Sequence, residues 1–93
     1  MGVIFEIIYH ELVVADDISR LSKIDKIRIK QAIGEKLVYL PEVFGKPLRR
    51  SLKGYRKLRV GDYRVIFSIQ NQTVKIFCIG HRSVVYRDVL RRS

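Results

Sequence analysis

The chain has 93 residues, 47% of them hydrophobic, and 19 Lys and Arg against nine Asp and Glu give it a formal charge of +10. That length suits one domain, residues 1–93, whose core can bury one sheet face against one or two helices and little more. The charge favours nucleic acid, an anionic membrane or an acidic protein partner, while the lone Cys78 excludes an intrachain disulfide.

Residues 3–9 (VIFEIIY) form a nearly continuous apolar run with β-branched members, which predicts a first strand buried on both faces. A helix is expected to begin near Glu11 or Asp16, carrying Val13, Val14, Ile18 and Leu21 at helical spacings. Asp16 and Asp17 are suited to cap a second start. Over residues 23–40 the stripe Ile29, Ile33, Leu37 and Leu40 predicts a second helix, extended by Ile24 and Ile27 over its first turns. Lys26, Arg28, Lys30, Glu35 and Lys36 take its other faces, Gly34 weakens it, and Pro41 marks its end. The two helices should form a hairpin covering the sheet.

Residues 41–54 read as a connecting loop whose Lys46, Arg49, Arg50 and Lys53 lead into a basic strand region. Three runs of strand character follow, at 55–60, 63–70 and 73–79, separated by Gly61-Asp62 and Asn71-Gln72. Two-residue pairs of that kind suit tight hairpins, so the runs predict a three-stranded antiparallel meander. Alternation sets Leu58 and Val60 on one face of the first strand and Tyr55, Lys57 and Arg59 on the other. In the second strand Tyr63, Val65, Phe67 and Ile69 oppose Arg64, Ile66 and Ser68. The third run leads to Gly80-His81-Arg82 and Tyr86, and the closing RDVLRRS is expected to dock as a last helical turn or two. The fold class is α+β. No run approaches a membrane span and the N-terminus lacks signal-peptide order, so a cytoplasmic protein is expected.

The motifs exclude several chemistries. His10 and His81 lie far apart, and no Cys/His/Asp spacing suits a metal. Phosphate-cradling glycine motifs are missing, as are paired carboxylates near the basic cluster, so no cofactor is expected. Cations and an aromatic ring suit cleavage of RNA by its own ribose 2′-OH, which needs a base, positive charge around the phosphorane and an acid for the leaving oxygen. Arginine offers two-point contacts to phosphate, and like-charge crowding helps a lysine give up its proton. Lys57, between Arg56, Arg59 and cross-strand Arg64, is such a lysine, although the same cations also suit a solvated surface.

The pattern LKGYRKLRVGDYRVIF…VKIFCIGHRSVVYRDV, after a strand and a charged helical hairpin, resembles the RelE/ParE superfamily, the toxin halves of type II toxin–antitoxin pairs. The likeness covers nearly the whole chain in element order and is most specific over residues 47–86. It implies a small antiparallel sheet with a helical hairpin packed on it, in the order β-α-α-β-β-β with a short C-terminal segment. It also implies a metal-free, ribosome-dependent mRNA endonuclease that leaves a 2′,3′-cyclic phosphate. By that resemblance Lys57 would be the general base and Arg64 would stabilise the phosphorane. Arg82 would serve as acid or charge stabiliser, Tyr86 would stack on the mRNA or orient the phosphate, and Arg59 would hold RNA backbone or help depress the lysine. Arg49, Arg50, Lys53, Tyr55, Arg56 and His81 complete the expected RNA contacts; alternation points His81 away from Arg82, so a local structural role competes with a chemical one. The sequence departs from the RelE pattern at Tyr55, where a lysine is usual, and in a shorter step from Arg82 to Tyr86. The implied partners are an antitoxin with an acidic segment, the ribosome and mRNA, with no membrane. A ParE-like gyrase inhibitor and a non-catalytic nucleic-acid-binding module are the alternatives.

Overall fold

The structure is a computed structural model and describes residues 2–93. Its frame is a five-stranded sheet of order β1-β5-β4-β3-β2. The strands are β1 (Glu6–Tyr9), β2 (Lys46–Pro47), β3 (Arg56–Val60), β4 (Tyr63–Gln70) and β5 (Thr73–His81). Strands β3 to β5 are the expected meander, turning at Gly61 and Asn71, which both take left-handed φ values (61° and 56°). Glycine and asparagine are the residues that adopt this conformation at least cost.

Strand β1 departs from expectation. It pairs in parallel with β5 alone, from Glu6↔Thr73 to Tyr9↔Ile76, and so forms the sheet's edge. With one neighbour, it leaves Ile8 and Tyr9 each 41% exposed instead of buried on both faces.

The helical hairpin is irregular. Residues 11–20 start under the His10 ring nitrogen Nδ1, which accepts the Leu12 N–H at 3.1 Å. They widen into a π-type turn at Val13–Asp17, tighten to a 3₁₀ turn at Ile18–Arg20 and stop where Leu21 becomes extended. Asp17 caps nothing there. Ser22 instead caps α1 (Lys23–Ala32), its Oγ accepting the Asp25 N–H at 3.1 Å and donating to the Asp25 carboxylate at 3.0 Å. A second wide turn, Ile33–Leu37, continues α1.

From this hairpin Ile29, Ile33 and Leu37 meet Leu58, Val65, Phe67, Val74 and Ile76 of the sheet. Ile24 and Ile27 do not extend the stripe; they are 69% and 55% exposed. At about 100° per residue, positions two and five before Ile29 point to the opposite side of the helix. Leu40 also leaves the stripe and is exposed, because the helical path has ended before it.

The segment expected as a loop contains α2 (Pro41–Phe44), strand β2 and a 3₁₀ turn at Arg50–Leu52. Gly45 packs against the Phe67 ring so closely that no Cβ fits there.

The C-terminal segment is a full helix, α3 (Val85–Arg92), and includes Tyr86. It covers the other sheet face, where Val85 and Val89 join Ile66, Phe77 and Cys78 in a second core. A bulge makes this possible. Ile66 pairs with Cys78 but Phe67 pairs with Ile76, so the extra residue Phe77 joins Cys78 on the α3 side. No helix among the described residues is long and apolar enough to cross a membrane.

Candidate functional site

The pleat of β3 and β4 puts Lys57, Arg59 and Arg64 on the face that α3 covers, with Lys57 beside Ile66 and Arg59 beside Arg64. Helix α3 brings Tyr86 to the same place in its first turn. The Lys57 ammonium lies 6.0 Å from the centre of the Tyr86 ring, at the outer reach of a cation–π contact. Both residues are half-buried.

Arg64 and Arg82 meet the turn between β3 and β4. The Arg64 Nη1 donates to the carbonyls of Gly61 at 3.1 Å and Tyr63 at 3.0 Å. A guanidinium carries five N–H donors, so Nη2 and Nε stay available for an incoming anion. The Arg82 N–H donates to the Asp62 carbonyl at 2.8 Å. Its side chain stands 4.0 Å from the Asp62 carboxylate, both groups being mostly exposed (61% and 71%). An exposed pair of that length is weak and yields readily to a phosphate.

Other expected contacts are distributed differently. Arg56 lies on the hairpin side of β3, where its Nη1 donates to the carbonyls of Gly45 at 2.9 Å and Glu42 at 3.4 Å, closing off α2. Tyr55 is half-buried with its ring tilted on Phe77 at 4.9 Å. His81 turns to the Tyr63 side, the rings edge-on at 5.7 Å, and its Nδ1 accepts the Ser83 N–H at 3.1 Å. Arg49, Arg50 and Lys53 are exposed ahead of β3, and Arg50 holds a left-handed φ of 58°. Thus Lys57, Arg59, Arg64 and Tyr86 share a face, Arg82 sits at its rim, and Arg56 and His81 point elsewhere.

Sequence reasoning missed two groups that shape this face. Asp17 and Arg92 form a buried ion pair at 2.9 Å that pins the end of α3. Lys36, Phe44 and Lys46 stand beside Lys57 in a common cleft. The spacing of Val85, Val89 and Arg92 was the available signal for the first, since it marks one side of a helix.

Comparison with known proteins gives a consistent pattern. The family model for the ParE toxin of type II toxin–antitoxin systems, parDE, matches residues 7–86. Toxin RelE of Mycobacterium tuberculosis is 38% identical over 85 residues, covering 85% of this chain and 87% of that protein. The crystal structure of the toxin–antitoxin complex RelBE2, also from M. tuberculosis, contains a chain that superposes with a TM-score of 0.79 at 28% identity, covering 87% of this chain and 94% of that one. YafQ from E. coli shares the fold, with a TM-score of 0.59 at 22% identity over 86% of this chain and 96% of its own.

Proposed function

Since this chain belongs to the ParE toxin family, within the RelE/ParE superfamily of type II toxin–antitoxin toxins, we propose that it is a ribosome-dependent mRNA endonuclease that needs no metal. The observation that carries this reading is Lys57 facing the Tyr86 ring on the strand face that also presents Arg59 and Arg64.

Lys57 takes the proton from a ribose 2′-OH, and the 2′-oxygen attacks the adjacent phosphorus. Arg64 stabilises the charge on the phosphorane oxygens, using the donors it does not spend on the turn. The P–O5′ bond breaks as the 5′-oxygen takes a proton, with Arg82 as acid or charge stabiliser. The products are a 2′,3′-cyclic phosphate and a 5′-hydroxyl. Tyr86 stacks on an exposed base, and the ribosome presents the mRNA.

A cognate antitoxin with an acidic segment masks the toxin. A groove of about 280 Å³ between β1 and the hairpin, lined by Tyr9, Ile18, Leu21, Ile29, Ile33 and Ile79 and flanked by Lys26 and Lys30, suits apolar anchors of such a segment. Replacing Arg82 with Ala should lower ribosomal cleavage by about 10²–10³-fold, the usual loss for one missing donor to a developing anion. Mapping of mRNA 5′ ends after induction reads this directly, and wild-type cleavage by that variant would remove Arg82 from the chemistry. The parDE description of the matched family supports a second reading, a gyrase inhibitor without nuclease activity. Inhibition of gyrase supercoiling together with intact mRNA would select it.

A further inference from the structure

Lys57 also lines a second hollow. A cleft of about 270 Å³ at the β2–β3 edge is bounded by Lys36, Phe44, Lys46, Arg59 and Arg64 as well. It exists because β2 has only two residues and pairs with β3 at Lys57 and Arg56 alone, leaving the remaining edge of β3 open. The end of α2 and the wide turn after α1 form the opposite wall, contributing Phe44 and Lys36.

Two properties of the cleft define its ligand. Five cations and, among the described residues, no carboxylate line it, so the cleft favours an anion. The Phe44 ring is 41% exposed, with the Lys36 ammonium 5.6 Å from its centre. A flat π system that packs on the exposed part of this ring meets the Lys36 ammonium over its face, and a phosphate attached to it lies within reach of that cation. One nucleotide provides both. An acidic peptide of Glu and Asp alone would satisfy the charges and leave the ring without a stacking partner.

We propose that this cleft holds the nucleotide next to the scissile phosphate, with its base on Phe44 and its phosphate among Lys36, Lys46 and Arg59. Lys57 borders both the cleft and the Tyr86 ring, so one strand passes from the reacting phosphate into the cleft. The inference rests on the nuclease reading for its scissile phosphate, but its binding half can be tested separately.

The test measures binding of a fluorescein-labelled 2′-O-methyl RNA hexamer, which keeps bases and phosphates but has no attacking hydroxyl, alongside ribosomal cleavage. Phe44→Leu keeps apolar bulk and removes the ring. It should bind about tenfold more weakly, since a stacking contact of ~1–3 kcal/mol corresponds to roughly a factor of 5 to 150. Phe44→Tyr should bind like the wild type, and Lys36→Gln should flatten the dependence of log affinity on log salt by about 0.7. Phe44→Leu that binds the hexamer like the wild type while ribosomal cleavage continues overturns the cleft and spares the nuclease. Ring-dependent binding without any cleavage supports the cleft and overturns the nuclease. A Phe44→Leu defect confined to a Glu-rich peptide of equal charge makes the cleft a protein interface and also overturns the proposal.

Discussion

The Asp17 carboxylate and the Arg92 guanidinium meet in a two-point ion pair, at 2.9 and 3.0 Å, across 75 residues of sequence. Their side chains are 3% and 9% exposed. The pair also serves the sheet. Strand β1 stops at Tyr9, opposite Ile76, and beyond it the Asp17 carboxylate accepts the Ile79 N–H at 2.9 Å while Arg92 donates to the Phe77 carbonyl at 2.9 Å. Two side chains thus satisfy backbone groups of β5 past the end of its neighbour, and they hold α3, with Tyr86, against the sheet. Contact with Asp17 holds the Arg92 guanidinium above its already high ordinary range.

Breaking this pair from one side leaves a buried charge. Asp17→Ala and Arg92→Met should each cost ~3–5 kcal/mol, because the remaining ion keeps its desolvation penalty without its partner. The double variant should be less destabilised than the sum of the two. It buries no ion, although the Ile79 N–H still lacks an acceptor at ~1–3 kcal/mol. Urea unfolding of the three variants measures this, and single losses below ~1 kcal/mol would show that the pair does not hold α3.

Cys78 makes stability fall in alkali. Burial first, then the Asp17 charge, pushes its thiol from 9.0 up to about 12 in the folded chain. Between those values the unfolded chain has released a proton that the folded chain still binds, so the free energy of unfolding decreases as pH rises. The slope is about 1.4 kcal/mol per pH unit, or ~4 kcal/mol over the window, fully present below pH 9.0 and lost by about pH 12. Cys78→Val should remove one proton from this dependence, read as the difference between the two stability–pH curves. The wild-type thiol should also stay inert to alkylating reagents until the chain unfolds.

The meander was legible because its signals are local. Alternation across Tyr63–Gln70 and the turn residues Gly61 and Asn71 specify strand, face and hairpin within a few residues. The same alternation placed Lys57, Arg59 and Arg64 on one face. It fails in β5, where the extra residue Phe77 reverses the faces so that Phe77 and Cys78 point the same way. Burial of 3–9 was overestimated because an apolar run does not reveal whether it has one neighbouring strand or two. For the Asp17–Arg92 pair the spacing of Val85, Val89 and Arg92 marks one side of α3 but does not name Asp17, since the partners come from opposite ends of the chain and meet only when α3 docks.

Lys57→Arg separates proton transfer from charge. Arginine keeps the cation facing Tyr86 but does not lose a proton at accessible pH. With Lys57 as base, the variant should bind programmed ribosomes normally and cleave slowly in single turnover. Near-normal cleavage would leave Lys57 an electrostatic role only.

Tyr86 has two possible contributions, a ring and a hydroxyl. The ring faces Lys57 and packs beside the second core, so part of its surface is already used to seat α3. Stacking on an exposed base is worth ~1–3 kcal/mol and needs no hydroxyl. The short step from Arg82 through one turn into α3 places Tyr86 by its ring contacts. Tyr86→Phe should therefore keep most ribosomal cleavage, and Tyr86→Ala should lose about 10–100-fold. Truncating a half-buried ring also loosens packing, so the Ala variant must be compared at a temperature where its melt shows it folded. A Phe variant as inactive as Ala would assign the role to the hydroxyl. An Ala variant that recovers full cleavage once kept folded would leave Tyr86 as the residue that seats α3 on the sheet.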